Sequence, residues 1–314
     1  HLKFIDEHGS FLLEQPENTS YLYFPLASET GLKSSVTPNL GGDAKINQEI
    51  FLLEPVSSEN LHNNRSTRNF WFFKEGIGAY SATGSSAEQE YAKFTSMQDE
   101  QELSAGFMWQ TLKRTSKTYQ LSSTVTSFIP RDDNVEIMHI TIRNLSENTQ
   151  ELTAYAAVPI YGRSADNIRD HRNVTSMLHR IETTENGVLV CPTMSFDEKG
   201  HRPNKQIYYV MGRTEKDKKP TDFYPTVESF LGEGGTFTRP CAIYNQYPGV
   251  PAFFHTAGKE AMGAFRFEPV TLDPGESAEY IVLLGTENNK DAISKIFDKY
   301  NTIEKVGQAF QDTK

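Results

Sequence analysis

The chain has 314 residues, with 31 Lys and Arg against 41 Asp and Glu, a formal charge of −10, and 11% aromatic residues. An acidic balance with scattered basic residues speaks against a general nucleic-acid binder. No run approaches the roughly 18–20 apolar residues of a membrane-spanning helix, and 21 Gly with 15 Pro is too ordinary a share for a collagen-like or low-complexity chain. With 20 Phe and 14 Tyr the chain can fill a large core, and its length suits about two domains at roughly 100–200 residues each.

In chain order, short runs of β-branched and aromatic residues predict strands at 21–26, 50–54, 69–73, 77–82 and 106–113. Residues 119–129 (YQLSSTVTSFI), 135–143 (VEIMHITIR) and 152–161 (LTAYAAVPIY) alternate and are closed by polar turns, the pattern of paired antiparallel strands. Further strands are expected at 187–191, 206–212, 263–268 and 278–285. No β-α-β alternation appears, which excludes a parallel dinucleotide-binding sheet. A short helical turn is expected at 86–93 (SAEQEYAK). The phrase LDPGESAEYIVLLG (272–285) reads as a Pro274-Gly275 turn followed by a closing strand.

From Asp291 the period changes. Asp291 is a candidate helix cap, and Ile293, Ile296, Phe297 and Tyr300 recur at helical spacing. A second helical stretch runs from Thr302 to Phe310, with Ile303, Val306 and Phe310 on one face. The expected organisation is a β unit over 1–288 and a helical arm over 289–314 whose apolar stripe has no evident partner in its own sequence, so that it is poorly packed or docks against a neighbour.

The densest polar cluster is YGRSADNIRDHRNVTSMLHRI, residues 161–181, directly after an apolar strand. It holds Arg163, Asp166, Arg169, Asp170, His171, Arg172, His179 and Arg180. Arginine forks suit carboxylates, phosphates and sugar hydroxyls. One reading is a binding or subunit-interface loop; the other is a self-satisfied salt-bridge cluster that holds a long loop. Asp170 and His171 do not make a catalytic dyad, since no G-x-S-x-G elbow is present. His171 and His179, eight apart, match no metal-ligand spacing. The glycine groups at 41–42, 76–78 and 232–235 lack any phosphate-loop context and read as turns or bulges. The run Asn69-Phe70-Trp71-Phe72-Phe73 puts rings on both faces of a strand, as a core or as a sugar-stacking platform. Asp197, Glu198 and Glu233 are acids in turn-like contexts, indistinguishable from solvated carboxylates.

Cys191 and Cys241 are too far apart for a metal pair and read as two reduced thiols. No secretory leader is visible at the start of the sequence, so a cytoplasmic location is expected and the N-x-S/T triplets at Asn18, Asn64, Asn144 and Asn173 are expected to be chance matches. The opening His1 also fits a chain cut from a longer product.

Six phrases carry a family resemblance: YLYFPLASETGLKSSVTPNLGGD (21–43), NNRSTRNFWFF (63–73), VPIYGRSADNIRDHRNVTSMLHRI (158–181), PTMSFDEKGH (192–201), DFYPTVESFLGEGG (222–235) and TLDPGESAEYIVLLG (271–285). With them the chain resembles the N-terminal domain of the inverting phosphorylases of glycoside hydrolase family 94, which act on cellobiose, cellodextrins, laminaribiose or 1,2-β-oligoglucans. The resemblance implies an all-β fold, a large two-sheet antiparallel β-supersandwich, then linker helices and an α/α barrel. It implies that an aspartic acid of the barrel protonates the glycosidic oxygen while inorganic phosphate attacks the anomeric carbon, so this chain holds no catalytic residue. No metal or organic cofactor is implied; phosphate is a co-substrate of the full enzyme. The implied partners are the barrel, a second copy in a homodimer and a β-gluco-oligosaccharide. Arg163, Arg169, Asp170, His171, Arg172 and His179 are the candidates for substrate binding or the subunit interface. A free-standing carbohydrate-binding module and a stand-alone hydrolase are the competing readings.

Overall fold

A computed structural model of the chain describes residues 1–19, 22–57, 59–63 and 68–314, with backbone alone at 196 and 197. Two antiparallel sheets face each other. The larger has 11 strands. Its centre is built from Leu121–Phe128, Val135–Asn144, Ser277–Glu287 and Ile207–Thr214, paired in that order. One edge is the hairpin Leu2–Phe4 and Phe11–Glu14; the other is His255–Ala257. The second sheet has six strands around Gln150–Ile160, which pairs with Asn69–Lys74, Ala261–Arg266 and Val270–Leu272. A four-stranded sheet, Phe24–Ala27 to Ile50–Leu53, flanks the two. The all-β supersandwich is therefore the fold.

The alternating residues sort by face. Met138, Ile140 and Ile142, with Tyr280, Val282 and Leu284, point inward against Phe70, Phe72, Ala154, Ala156, Val158 and Phe265. The intervening Ile137, Ile281 and Leu283 point to the opposite face, which is also covered. A strand buried on both faces reads as an unbroken apolar run, which is why YIVLLG (280–285) lacks clean alternation.

The cover is the helical arm. Helices Lys290–Tyr300 and Ile303–Thr313 lie on the outer face of the large sheet. Ile293, Ile296, Phe297, Tyr300 and Val306 pack with Phe128, Ile137, Leu189, Tyr209, Met211 and Leu283. Phe310 meets the rings of Trp109 and Phe128 at 5.6 and 5.2 Å. The expectation of a poorly packed arm is thus corrected: its partner is the odd-numbered face of the chain's own central strands, which becomes visible only when the sheet forms. The cap also differs. Asn289 is the N-cap, accepting from Ala292 N at 2.8 Å, and Asp291 lies in the first turn.

On the outer face of the second sheet, Trp71, Tyr155, Tyr224 and Met262 pack under Phe230, Ala242 and Ile243 of two short helices. The rings of the 69–73 run therefore serve cores: Phe70 and Phe72 on one face, Trp71 on the other. The LGGD turn depends on Gly42, whose φ is +110° and where a Cβ would stand 1.8 Å from the Ser35 carbonyl oxygen; no other residue fits. Several expected strands are shifted or were missed. The strand expected at 21–26 is Phe24–Ala27, and Tyr21 lies outside the described residues. The first hairpin, Lys33–Val36, Ala44–Asn47, Glu100–Gly106 and Asp222–Thr226 had no alternation strong enough to read.

Candidate functional site

The 161–181 segment leaves the second sheet at Ile160 and runs beside the strand Ile50–Leu53. Tyr161 N and Gly162 N donate to Leu52 O and Phe51 O, and Phe51 N donates to Arg163 O. Gly162 makes the bend with φ +61°; a Cβ there would crowd His179 Nε2 at 3.3 Å and Tyr208 Cδ2 at 3.4 Å. Ser164 then caps a one-turn 3-10 helix, Ala165–Arg169, by accepting from Asp166 N. The helix Arg172–Thr175 follows.

This path brings two of the arginines together. Arg163 Nη2 donates to Glu260 Oε1 at 2.6 Å, and its Nη1 donates to Tyr161 O at 3.2 Å. Arg172 reaches Glu54 at 2.9 Å and the other Glu260 oxygen at 3.2 Å. Both guanidiniums lie over the Tyr161 ring, at 4.9 and 5.8 Å. Two cations and two carboxylates thus clasp the ends of three strands around one ring. Glu54 and Glu260 were not legible as site residues, because they stand 118 and 88 positions from Arg172 and carry no local pattern.

The other candidates fall elsewhere. His179 is fully buried, with Nε2 3.3 Å from Gly162 O. Burial, reinforced by the Arg163 charge, lowers its pKa to about 4, so it is neutral at physiological pH. Arg169 is exposed and pairs with Glu198 at 2.7 Å. Asp170 accepts from Asn167 Nδ2 at 2.8 Å. His171 is exposed at the N-cap of Arg172–Thr175 and makes no capping bond with its side chain. The structure therefore joins Arg163, Arg172 and His179 into the fold, and leaves Arg169, Asp170 and His171 on its surface. The side chain of Asp197 lies outside the described residues; Glu233 is exposed.

Among the described residues no group of three His, Cys, Asp or Glu could hold a metal ion, and no helix is long and apolar enough to cross a membrane. Cys191 and Cys241 are free thiols. Asn144 is buried and donates to Asn148 O and Leu272 O at 2.8 and 2.9 Å, a structural amide rather than a modification site; Asn64 lies outside the described residues. A cavity of about 500 Å³ opens beneath the helix Lys290–Tyr300. Its carboxylates Glu182 and Glu185 are paired with Lys290 and Lys219.

Two facing antiparallel sheets, sheathed by helices, with their strand ends clasped by arginine–carboxylate pairs, define a supersandwich domain. The family model of the glycosyl hydrolase 94 supersandwich domain matches residues 88–303, and the chain belongs to that family. No curated protein matches it. Among solved structures, a GalM/aldose epimerase homologue from C. elegans is 9% identical with a TM-score of 0.46, covering 85% of this chain and 99% of its own. A bacterial glucoamylase is 9% identical with a TM-score of 0.44, covering 93% of this chain and 37% of its own. A protein provisionally described as a kojibiose phosphorylase, from the human microbiome, is 9% identical with a TM-score of 0.43, covering 99% and 36%. The chain thus spans little more than a third of the last two.

Proposed function

We propose that this chain is the non-catalytic domain of an inverting β-glucoside phosphorylase. The reaction belongs to an α/α barrel. There an acid protonates the leaving glycosidic oxygen while phosphate attacks the anomeric carbon from the opposite face, releasing a sugar 1-phosphate. One protein acid suffices because phosphate is itself a nucleophile and needs no base to activate water. The observation that carries this reading is the family match over residues 88–303. The sandwich supplies a rigid wall beside the barrel and contacts to a second copy in a cytoplasmic homodimer. The clasped 161–181 segment is suited to that duty, since its backbone is fixed while Arg169, Asp170 and His171 stay exposed.

The test is phosphorolysis. The complete enzyme is expected to release sugar 1-phosphate from a β-1,2-, β-1,3- or β-1,4-glucoside only with phosphate present. Residues 1–314 alone are expected to release none, and turnover by them overturns the reading. In the complete enzyme Arg172→Ala should weaken dimerisation or acceptor binding; if both are unchanged, the wall is assigned wrongly.

A further inference from the structure

A second cavity, of about 250 Å³, opens on the outer face of the smaller sheet. Asn69 and Trp71 of the strand Asn69–Lys74 lie at its floor, Phe230 and Phe237 form a wall, and Glu90 of the helix Ala87–Ala92 stands exposed beside it. It is not part of the arginine clasp, although Phe237 also lines the small cavity next to Arg172.

The floor holds polar hydrogens without acceptors. Asn69 is 5% exposed, and its Oδ1 accepts from Ser81 Oγ at 2.6 Å, Phe70 N at 2.9 Å and Thr83 Oγ1 at 3.1 Å. A backbone N–H can only donate, so the amide oxygen must face Phe70 and the orientation of the amide is determined. Its Nδ2 hydrogens then have no acceptor among the described residues. The buried indole Nε1 of Trp71, at the same floor, has none either. A buried donor is normally paired, so the unpaired Trp71 indole, next to an Asn69 amide whose hydrogens reach the cavity, marks a place where an acceptor is expected from outside the chain.

The chemistry of that acceptor follows from the rest of the lining. Among the described residues the lining holds no Lys or Arg, and His62 is its one imidazole, so it offers no permanent cation to compensate a phosphate or a carboxylate. Among the described residues Glu90 makes no salt bridge, and it can only accept hydrogen bonds while ionised. A partner for this site must accept from amide hydrogens, donate to a carboxylate, and lay an apolar face on phenyl rings. A neutral pyranose does all three with hydroxyls that are both donor and acceptor and with its C–H face. The volume is below the roughly 300 Å³ at which drug-sized sites begin, which suits one ring rather than a chain.

We propose that this cavity binds a single sugar ring of a neutral glucoside, held between the Asn69 amide and the Glu90 carboxylate against Phe237. It is a non-catalytic site on the sandwich itself, and it goes beyond the wall function proposed above because it needs no barrel.

The chain contains 2 Trp, so an ¹⁵N–¹H spectrum of residues 1–314 shows two indole cross-peaks, assigned by Trp109→Phe. Trp109 lies on the other sheet under Phe310 and is the internal control. Titration with glucose, cellobiose, laminaribiose and sophorose at millimolar concentrations should shift the Trp71 peak saturably and leave the Trp109 peak in place. Glu90→Gln, on an exposed helix position, should weaken binding about tenfold, in line with loss of one charge-assisted hydrogen bond. Asn69→Asp keeps the three accepted bonds and removes the amide donors, and should abolish the shift; its melting curve reports whether it folds, and if it does not, Glu90→Gln alone decides. No saccharide-dependent movement of the Trp71 peak overturns the proposal. So does equal binding by Glu90→Gln, or a response to inorganic phosphate as strong as that to sugar.

Discussion

Arg68 and Glu136 form a salt bridge in which neither side chain has any exposed surface. Arg68 enters the smaller sheet, and Glu136 belongs to the central strand Val135–Asn144 of the larger one. Ser34 Oγ, from the four-stranded sheet, donates to the same carboxylate at 2.6 Å, and Arg68 Nη2 donates to Asp43 O at 3.0 Å. One ion pair therefore ties three sheets. Removing one partner strands a charge in the interior, so Glu136→Gln should lower the unfolding free energy by about 3–5 kcal/mol. The joint replacement Arg68→Met with Glu136→Leu should recover most of that loss. Urea denaturation of the three proteins checks it; a double variant no better than the single one would place the cost in packing instead.

The two arginines on Glu260 should differ. Arg163 is 4% exposed and Arg172 33%. Solvent screening weakens the second pair, so Arg163→Ala should cost about 3 kcal/mol and Arg172→Ala about 1 kcal/mol. Equal losses in denaturant melts would mean that the Tyr161 stacking, which they share, outweighs the ion pairs.

The last helix should protect a tryptophan. Deleting residues 302–314 uncovers Trp109 and Phe128, which now face Phe310. Tryptophan emission should shift to longer wavelength. Phe310→Ala, partly buried in the intact chain, should cost roughly 2 kcal/mol. Unchanged emission after the deletion would show that the sheet face is covered by something else.

His179 should make the fold acid-sensitive. Its ordinary pKa of 6.5 falls to about 4 in the folded chain. Below pH 6.5 the unfolded chain takes up a proton that the folded chain refuses. Stability is therefore complete above that pH and declines as pH falls towards 4. The stability difference between the native protein and His179→Asn should shrink by on the order of 2–3 kcal/mol between pH 7 and pH 4. A constant difference across that window would reject the assignment.

Much of the architecture was legible along the chain. The runs at 119–129, 135–143 and 152–161 became Leu121–Phe128, Val135–Asn144 and Gln150–Ile160. Alternation over that length has few solutions, because side chains of a strand point to opposite faces in turn. The short strands Lys33–Val36 and Ala44–Asn47 were not legible, since four residues hold no periodicity. The arginine-rich segment was visible as charge, but its carboxylate partners were not. Glu54 and Glu260 are ordinary acids in sequence and acquire meaning only where the strands end side by side.

By itself the sequence determined the class of fold, the family, the helical character of residues 291–310 and the lack of any basic or apolar run for nucleic acid or membrane. All of these rest on local composition and period. Tertiary structure alone decided that the helical arm lies on the chain's own sheet, that Arg163 and Arg172 share Glu260, and that Asn69 and Trp71 meet Phe230 and Phe237 around one cavity. Each of these depends on residues distant in the chain becoming neighbours. The energies that bring them together, apolar burial and the pairing of buried charge, have no signature in any single stretch.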